Sequence, residues 1–424
     1  MNSKELLFPR QIYIDRVKPF LNDCGLIKVF TGVRRSGKSS IMELIRRELI
    51  KNGIKEENII NLNLDAKENV FIDSDVKLMS KIDILIQKCS KGIKYLFIDE
   101  IQNVKNFEKI VNAYREEGDF SIFITGSNGY LLSGNLATKL TGRYIEITVN
   151  TLLFSEYLEM KKFLGKSIDE DLDFEFQRYV LDGGFPKTLT YDDPLARKTY
   201  VENVISEIYE KDIKTNKTIK NKKLFDQVQR FVIDNFGSTF SANGLANYLS
   251  KMDGKKHSLE TIYSYISVLE KAKIISRCQR FDMKSKKSLN GEEKLYLSDL
   301  SFYFASNVDN RINYGPVLEN LVFNYAKAMG YKVSVGKIGR LEVDFILNKP
   351  MNNYYSYVQV CKTLDNGIFN EKGLPKTEER EYRSLLSIRD NYPKYILTLD
   401  HFLQNRDGII NENLVRFFKN MKQF

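Results

Sequence analysis

The chain has 424 residues, of which 42% are hydrophobic and 28% charged; that length predicts about two to four domains with ample core, and the balance is that of an ordinary soluble protein. Two histidines (His257 and His401) and four cysteines (Cys24, Cys89, Cys278 and Cys361) without C-x-x-C spacing argue against histidine-built catalysis, a zinc site or a disulfide framework. No apolar run approaches about eighteen residues and no signal-peptide core opens the chain, so the reading is a cytoplasmic protein with no membrane partner.

The net charge of +10 is concentrated. Lys214 to Lys223 holds five lysines and no acid, and Lys271 to Lys287 holds seven basic residues against Asp282 alone. These stretches account for the whole excess. Each is either solvated surface or a face for a polyanion such as DNA.

In chain order, residues 8–20 read as a short helix leading into a strand at 26–31. There follows Gly32-Val33-Arg34-Arg35-Ser36-Gly37-Lys38-Ser39, which fits the phosphate-loop pattern G-x-x-x-x-G-K-[ST] at every fixed position. Ile41, Leu44, Ile45 and Leu49 then repeat at helical spacing over 38–52, stopped by Gly53. Strand, glycine loop and helix are the context the motif requires. Glycines let the backbone bring its N–H groups up to phosphate oxygens, and the helix points its positive end at the same anion. Gly32, Arg34, Arg35, Ser36, Gly37, Lys38, Ser39 and Ser40 are therefore the expected phosphate contacts of a bound nucleotide, with Lys38 on the β/γ phosphates and the Ser39 hydroxyl on Mg²⁺.

Strands are expected at 58–64, 94–99, 120–125 and 143–149, and helices at 76–90 and 105–117. Apolar strands separated by helices predict a parallel sheet covered on both faces. The 94–99 strand ends Phe97-Ile98-Asp99-Glu100. Asp99 is expected to position Mg²⁺, and Glu100 to polarise the attacking water as a catalytic residue beside Lys38. The next strand ends Thr125-Gly126-Ser127-Asn128, where a small polar residue can orient water; the plainer reading is a capped turn. Arg143, in Thr141-Gly142-Arg143, is either a surface charge or a γ-phosphate sensor or finger.

Together these stretches resemble the AAA+ ATPase superfamily, nearest its prokaryotic single-chain branch related to archaeal-type ATPases. Leu153-Phe154-Ser155-Glu156-Tyr157 and Gly183-Gly184-Phe185-Pro186 add to the resemblance. It implies an α/β fold: a P-loop NTPase core with strand order 5-1-4-3-2, a small helical lid, and Mg-ATP as ligand. It also implies that Ser127 and Asn128 form the first sensor. Whether Arg143 acts in cis, or in trans within a homo-oligomer, stays open.

On this reading residues 1–150 are the ATPase core and 151–213 the lid. Residues 214–304 are a basic linker and a winged helix, with helices near 224–236, 241–249 and 258–269 and wing strands at 274–281 and 293–297. DNA contact is expected through 214–223 and 271–287, or the module only packs against protein. Residues 314–424 resemble the PD-(D/E)xK nuclease-like fold, with Glu319 as helix acid and Asp344 as hairpin acid. The next strand should read Glu-x-Lys but reads Gln359-Val360-Cys361, with Lys362 one residue late and so on the other face. That predicts an inactive nuclease fold. Three functions follow: an ATPase that couples hydrolysis to movement of the later modules, a DNA-binding protein with ATP as a slow switch, or a nuclease recruiting Lys362 through a bulge.

Overall fold

The computed structural model describes residues 7–126, 140, 142–214, 218–285, 287–307, 311–350, 354–365, 367 and 375–424. The chain divides into two compact units, residues 1–151 with 271–273, and residues 152–270 with 274–424.

The first unit runs α1 (Gln11–Val17), β1 (Ile27–Thr31), α2 (Lys38–Lys51), β2 (Ile59–Asn63), α3 (Asp75–Ile86), β3 (Lys94–Asp99), α4 (Phe107–Glu117), β4 (Phe120–Thr125) and β5 (Tyr144–Thr148). Among the described residues the strands form one parallel sheet in the order β2-β3-β4-β1-β5, the order the resemblance implies. The alternation of side chains along each strand divides two cores. Ile27 and Val29, Leu96 and Ile98, and Ile122 and Ile124 face α3 and α4 through Leu78, Ile82 and Val111. Phe30, Phe97 and Phe123 face α1 and α2 through Tyr13, Val17, Ile41 and Ile45. Phe97 and Phe123 stack with ring centroids 4.5 Å apart. Helix α3 stops at Ile86, short of the expected 90, because Asn58 takes the Ser90 N–H at 2.8 Å and turns the chain toward β3.

In the second unit come α5 (Phe154–Phe163), α6 (Leu172–Asp182) and α7 (Pro194–Ile208), the last running into a π-helical turn at Tyr209–Ile213. The Gly183-Gly184 turn is held by a buried carboxylate: Asp299 accepts the Gly184 N–H at 2.9 Å and the Ser301 hydroxyl at 2.6 Å. A Cβ at Gly183 would lie 2.0 Å from the Asp299 carboxylate, so the first glycine is obligatory. Then follow α8 (Lys222–Asp234), β6 (Thr239–Phe240), α9 (Ala242–Asp253), α10 (Leu259–Lys271), β7 (Ile275–Asp282), β8 (Lys287–Leu297), α11 (Ser301–Ser306) and α12 (Tyr314–Ala328). The chain ends with β9 (Lys332–Ile338), β10 (Leu341–Lys349), β11 (Tyr354–Val360), α13 (Lys376–Leu386), β12 (Lys394–Thr398), β13 (Ile409–Asn413) and α14 (Leu414–Lys419).

Strands β6 to β13 make one mixed sheet in the order β13-β12-β11-β10-β9-β7-β8-β6. The expected wing hairpin is therefore not a free flap. Its strand β7 pairs in parallel with β9 over Arg280–Asp282, which joins stretches that read from sequence as separate modules.

One buried charge lies inside the first sheet. Lys28 of β1 is fully buried, and its Nζ donates to Ser121 Oγ at 2.8 Å and to the Asp23 and Leu26 carbonyls at 2.7 and 3.0 Å. Burial lowers its pKa from 10.5 to about 8, with Asp23 opposing. Above pH 8 the native chain has released a proton that the unfolded chain still binds, so stability rises with pH up to about 10.5. The shift corresponds to on the order of 3 kcal/mol. In urea titrations across pH 7 to 10.5, the stability of the native chain relative to Lys28→Met is expected to rise by that amount; a flat difference would contradict the buried charge.

Candidate functional site

The end of β1 and the start of α2 make a pocket of backbone. Gly32 has φ +144°, and a Cβ there would meet the Val149 carbonyl oxygen at 2.1 Å. No side chain fits, and the loop leaves β1 directly against the chain leaving β5. Gly37, at φ +100°, is the N-cap of α2, and no side chain caps that helix. Its first N–H groups are thus left for an anion. Lys38 is buried and folds back, its Nζ donating to the Gly32 and Val33 carbonyls at 3.1 Å each. Ser36 is fully buried, and its Oγ makes no hydrogen bond. A buried hydroxyl without a partner is costly in a finished core and reasonable where a ligand supplies one. Arg34 is buried, while Arg35, at φ +68°, is exposed beside exposed Ser39 and Ser40.

Asp99 ends β3, one strand beyond β4 from β1. It is buried, and the Thr125 hydroxyl at the end of β4 donates to its carboxylate. The same Thr125 oxygen accepts the Glu100 N–H at 3.0 Å. One hydroxyl thus fixes both acidic residues, a link that spacing alone does not reveal. Glu100 adopts a left-handed backbone, φ +57°, and its carboxylate accepts from the Gln102 amide. Burial raises its pKa above the ordinary glutamate range, against the pull of Lys38, Gln102 and Arg34. Phosphate loop, Asp99 and Glu100 therefore share the carboxyl end of the sheet, on β1 and β3 with β4 between them, where open α/β sheets place their ligands.

Arg143 is not brought to this place. It precedes β5 at the amino end of the sheet, where its carbonyl accepts the Ile27 N–H that opens β1. Its exposed guanidinium instead lies 3.2 Å from Asn112 Oδ1 and 3.6 Å from Glu116. A whole strand separates it from the loop, and a strand of this length spans about 15 Å. Ser127, Asn128 and Thr141 lie outside the described residues.

A family described as "AAA domain" matches residues 25–158, and a domain of unknown function matches residues 173–311. An uncharacterised protein of Haemophilus influenzae is 33% identical over 405 residues, 95% of this chain and 96% of its own. Another, from Methanocaldococcus jannaschii, is 31% identical over 356 residues, 80% of this chain and 75% of its own. The chain belongs to their family, and its first unit carries the AAA domain. A solved Walker-type ATPase of Pyrococcus abyssi is similar in fold, with TM-score 0.51 at 14% identity, covering 71% of this chain and 96% of that one. The AAA domain thus has the P-loop ATPase fold.

The second unit of this AAA-domain protein contains a cleft of about 520 Å³ lined by Glu319, Glu342, Asp344, Gln359, Lys362 and Glu381. Lys294 of β8 reaches in and bonds Glu319 at 2.8 Å and Glu342 at 2.9 Å. Burial works against its charge, yet Glu319, Asp344 and Glu342 together hold its pKa above the ordinary lysine range. Asp344 is pushed well upward by burial, with Glu319 next. Gln359, where an acid was expected, accepts the Asp344 N–H and donates to Glu381, both at 2.6 Å. Lys362 Nζ rests 4.6 Å from the Tyr314 ring centroid. The register shift in this hairpin falls between Val343 and Ile346 of β10, not at Lys362. Among the described residues no group of three or more His, Cys, Asp or Glu is arranged to hold a metal ion. Replacing Lys294 by Met leaves the acids facing one another and should destabilise the protein by about 3–5 kcal/mol. Chemical denaturation would check this, and a loss under ~1 kcal/mol would show that the acids are already neutral.

Proposed function

We propose that the AAA domain binds and hydrolyses ATP with Mg²⁺ and couples the cycle to a conformational change. One observation carries this reading. An uncapped helix N-terminus, a glycine loop and a Thr125-fixed Asp99–Glu100 pair sit together at the carboxyl ends of neighbouring strands. Loop N–H groups and the unpartnered Ser36 hydroxyl offer donors to phosphate. Lys38 exchanges its two carbonyl contacts for the β/γ phosphates. Ser39 and Asp99 are the residues that would hold Mg²⁺, directly or through water, and the ion, when bound, withdraws charge from the phosphate oxygens. Few protein ligands suffice, since Mg²⁺ retains several waters beside phosphate. Glu100 accepts the proton of the attacking water, and burial, by raising its pKa above that of an ordinary glutamate, makes its carboxylate a stronger base.

A second reading, in which ATP is a slow switch on a DNA-binding protein, draws on exposed Lys220, Lys222, Lys223, Lys284 and Lys287. Against it, Arg277 pairs with Glu270 and Glu293, and Arg280 with Glu342, which takes both basic residues of β7 out of service. Helices α9 and α10 expose Tyr248, Met252, Leu259 and Tyr263 beside one exposed base, Lys251. That favours a protein partner over a DNA groove.

Steady-state hydrolysis and nucleotide titration test both readings. Lys38→Ala should lose nucleotide affinity, whereas Glu100→Gln should bind ATP and lose about 100-fold or more in kcat. Hydrolysis by native protein should fall on acidification through a pKa above that of an ordinary glutamate, since only the ionised base accepts the proton. Normal turnover by Glu100→Gln would refute the catalytic assignment. Stimulation by duplex DNA that fades with salt would support the second reading, and indifference to DNA the first.

A further inference from the structure

Arg10, just ahead of α1, is only 4% exposed. Its Nη1 donates to the Ser36 carbonyl at 3.1 Å and to the Asn150 carbonyl at 2.9 Å. Its Nη2 reaches the Thr151 carbonyl and the Tyr13 hydroxyl, each at 3.4 Å. The guanidinium lies 4.6 Å from the Tyr13 ring centroid, and the Tyr13 hydroxyl accepts the Asn150 N–H at 2.9 Å. One side chain thus joins the phosphate loop to the residues leaving β5. A planar fork can serve carbonyls on two segments at once, which an ammonium on a flexible stem does poorly.

The Ser36 carbonyl belongs to the same peptide as the Gly37 N–H, at the head of α2. A cation on the carbonyl side polarises that peptide and strengthens its N–H as a donor. A Cβ at Gly37 would stand 3.9 Å from Arg10 Nη1, so the charge is set close behind the loop. We propose that Arg10 is a positioning residue of the nucleotide site, fixing and polarising the Ser36–Gly37 peptide for phosphate binding while anchoring it to Asn150 and Thr151. This rests on the ATP reading given above. It adds a cation from outside the motif, acting through the backbone rather than on the nucleotide.

The test uses the full chain and a fluorescent ATP analogue, with Arg10→Ala, Arg10→Lys, Tyr13→Phe and Lys38→Ala beside the native protein. Arg10→Ala should bind the analogue roughly tenfold more weakly or worse, the loss expected of a charge-assisted hydrogen bond. Arg10→Lys should recover little of that affinity. Free guanidinium at low millimolar concentration should restore part of the binding to Arg10→Ala and none to Lys38→Ala. Tyr13→Phe should shift affinity in the same direction by less. Melting temperature without nucleotide separates a scaffold role. Variants that melt lower yet bind like the native chain would overturn the proposal. Were Arg10→Ala not to fold, Arg10→Lys and Tyr13→Phe carry the same decision, native affinity in both being the overturning result. A native chain that binds no analogue would sink the ATP reading and this inference together. Native binding that is lost in Lys38→Ala but kept in the Arg10 variants would sink this inference alone.

Discussion

The close passage of two chain segments past each other sets the geometry of the first unit. Val149 donates its N–H to the Thr31 carbonyl at 2.7 Å, extending the β1–β5 ladder to its last rung. One residue later the chain at Gly32 must turn away with Val149's carbonyl oxygen where any side chain would begin. That crowding forces the loop over the edge of the sheet and starts α2 at Gly37, with its uncapped amides above the strand ends. Lys38 then falls within reach of the Gly32 and Val33 carbonyls. Without that lack of room, a glycine-bearing turn between a strand and a helix would have many shapes to choose from.

The sheet also explains why the two acidic residues take opposite backbone conformations. Asp99 continues the β3 ladder and stays buried, whereas Glu100 steps out at φ +57° to leave the strand. A left-handed glutamate costs on the order of 1 kcal/mol or more and persists only when its surroundings over-determine it. The Thr125 hydroxyl supplies that determination by binding Asp99 on one side and the Glu100 N–H on the other. Strand pairing between β3 and β4 is therefore what holds the carboxylates in place.

Much of the first unit was legible because its signals are local. β1, β3 and β4 are apolar runs that end in glycine or acid, and α2 repeats Ile41, Ile45 and Leu49 along one face. Those patterns survive any tertiary arrangement consistent with a buried parallel sheet. Arg10, Thr125, Lys294 and Glu381 were not legible, since each matters through partners more than twenty residues away. Strand β8 starts at Lys287, ahead of the expected wing strand at 293–297, because exposed Lys287 and Ser288 carry no apolar alternation to announce it. The same limit applies to β7: its residues announce a strand, but nothing in them names β9 as the neighbour that turns a wing into part of a larger sheet.

Three buried cations show how differently one physical problem is solved in this chain. Lys28 has no carboxylate bonded to it and relies on carbonyls, a hydroxyl and the Phe123 ring, 4.6 Å away, so it holds its proton weakly. Lys294 meets Glu319 and Glu342 and holds its proton firmly. Arg10 also faces carbonyls, but a guanidinium stays charged wherever it is placed, so the positive charge behind the phosphate loop does not depend on pH. An ammonium in that place, surrounded as Lys28 is, would be partly neutral near pH 8. A site meant to hold an anion needs a charge that burial cannot remove, and the chain supplies it with arginine.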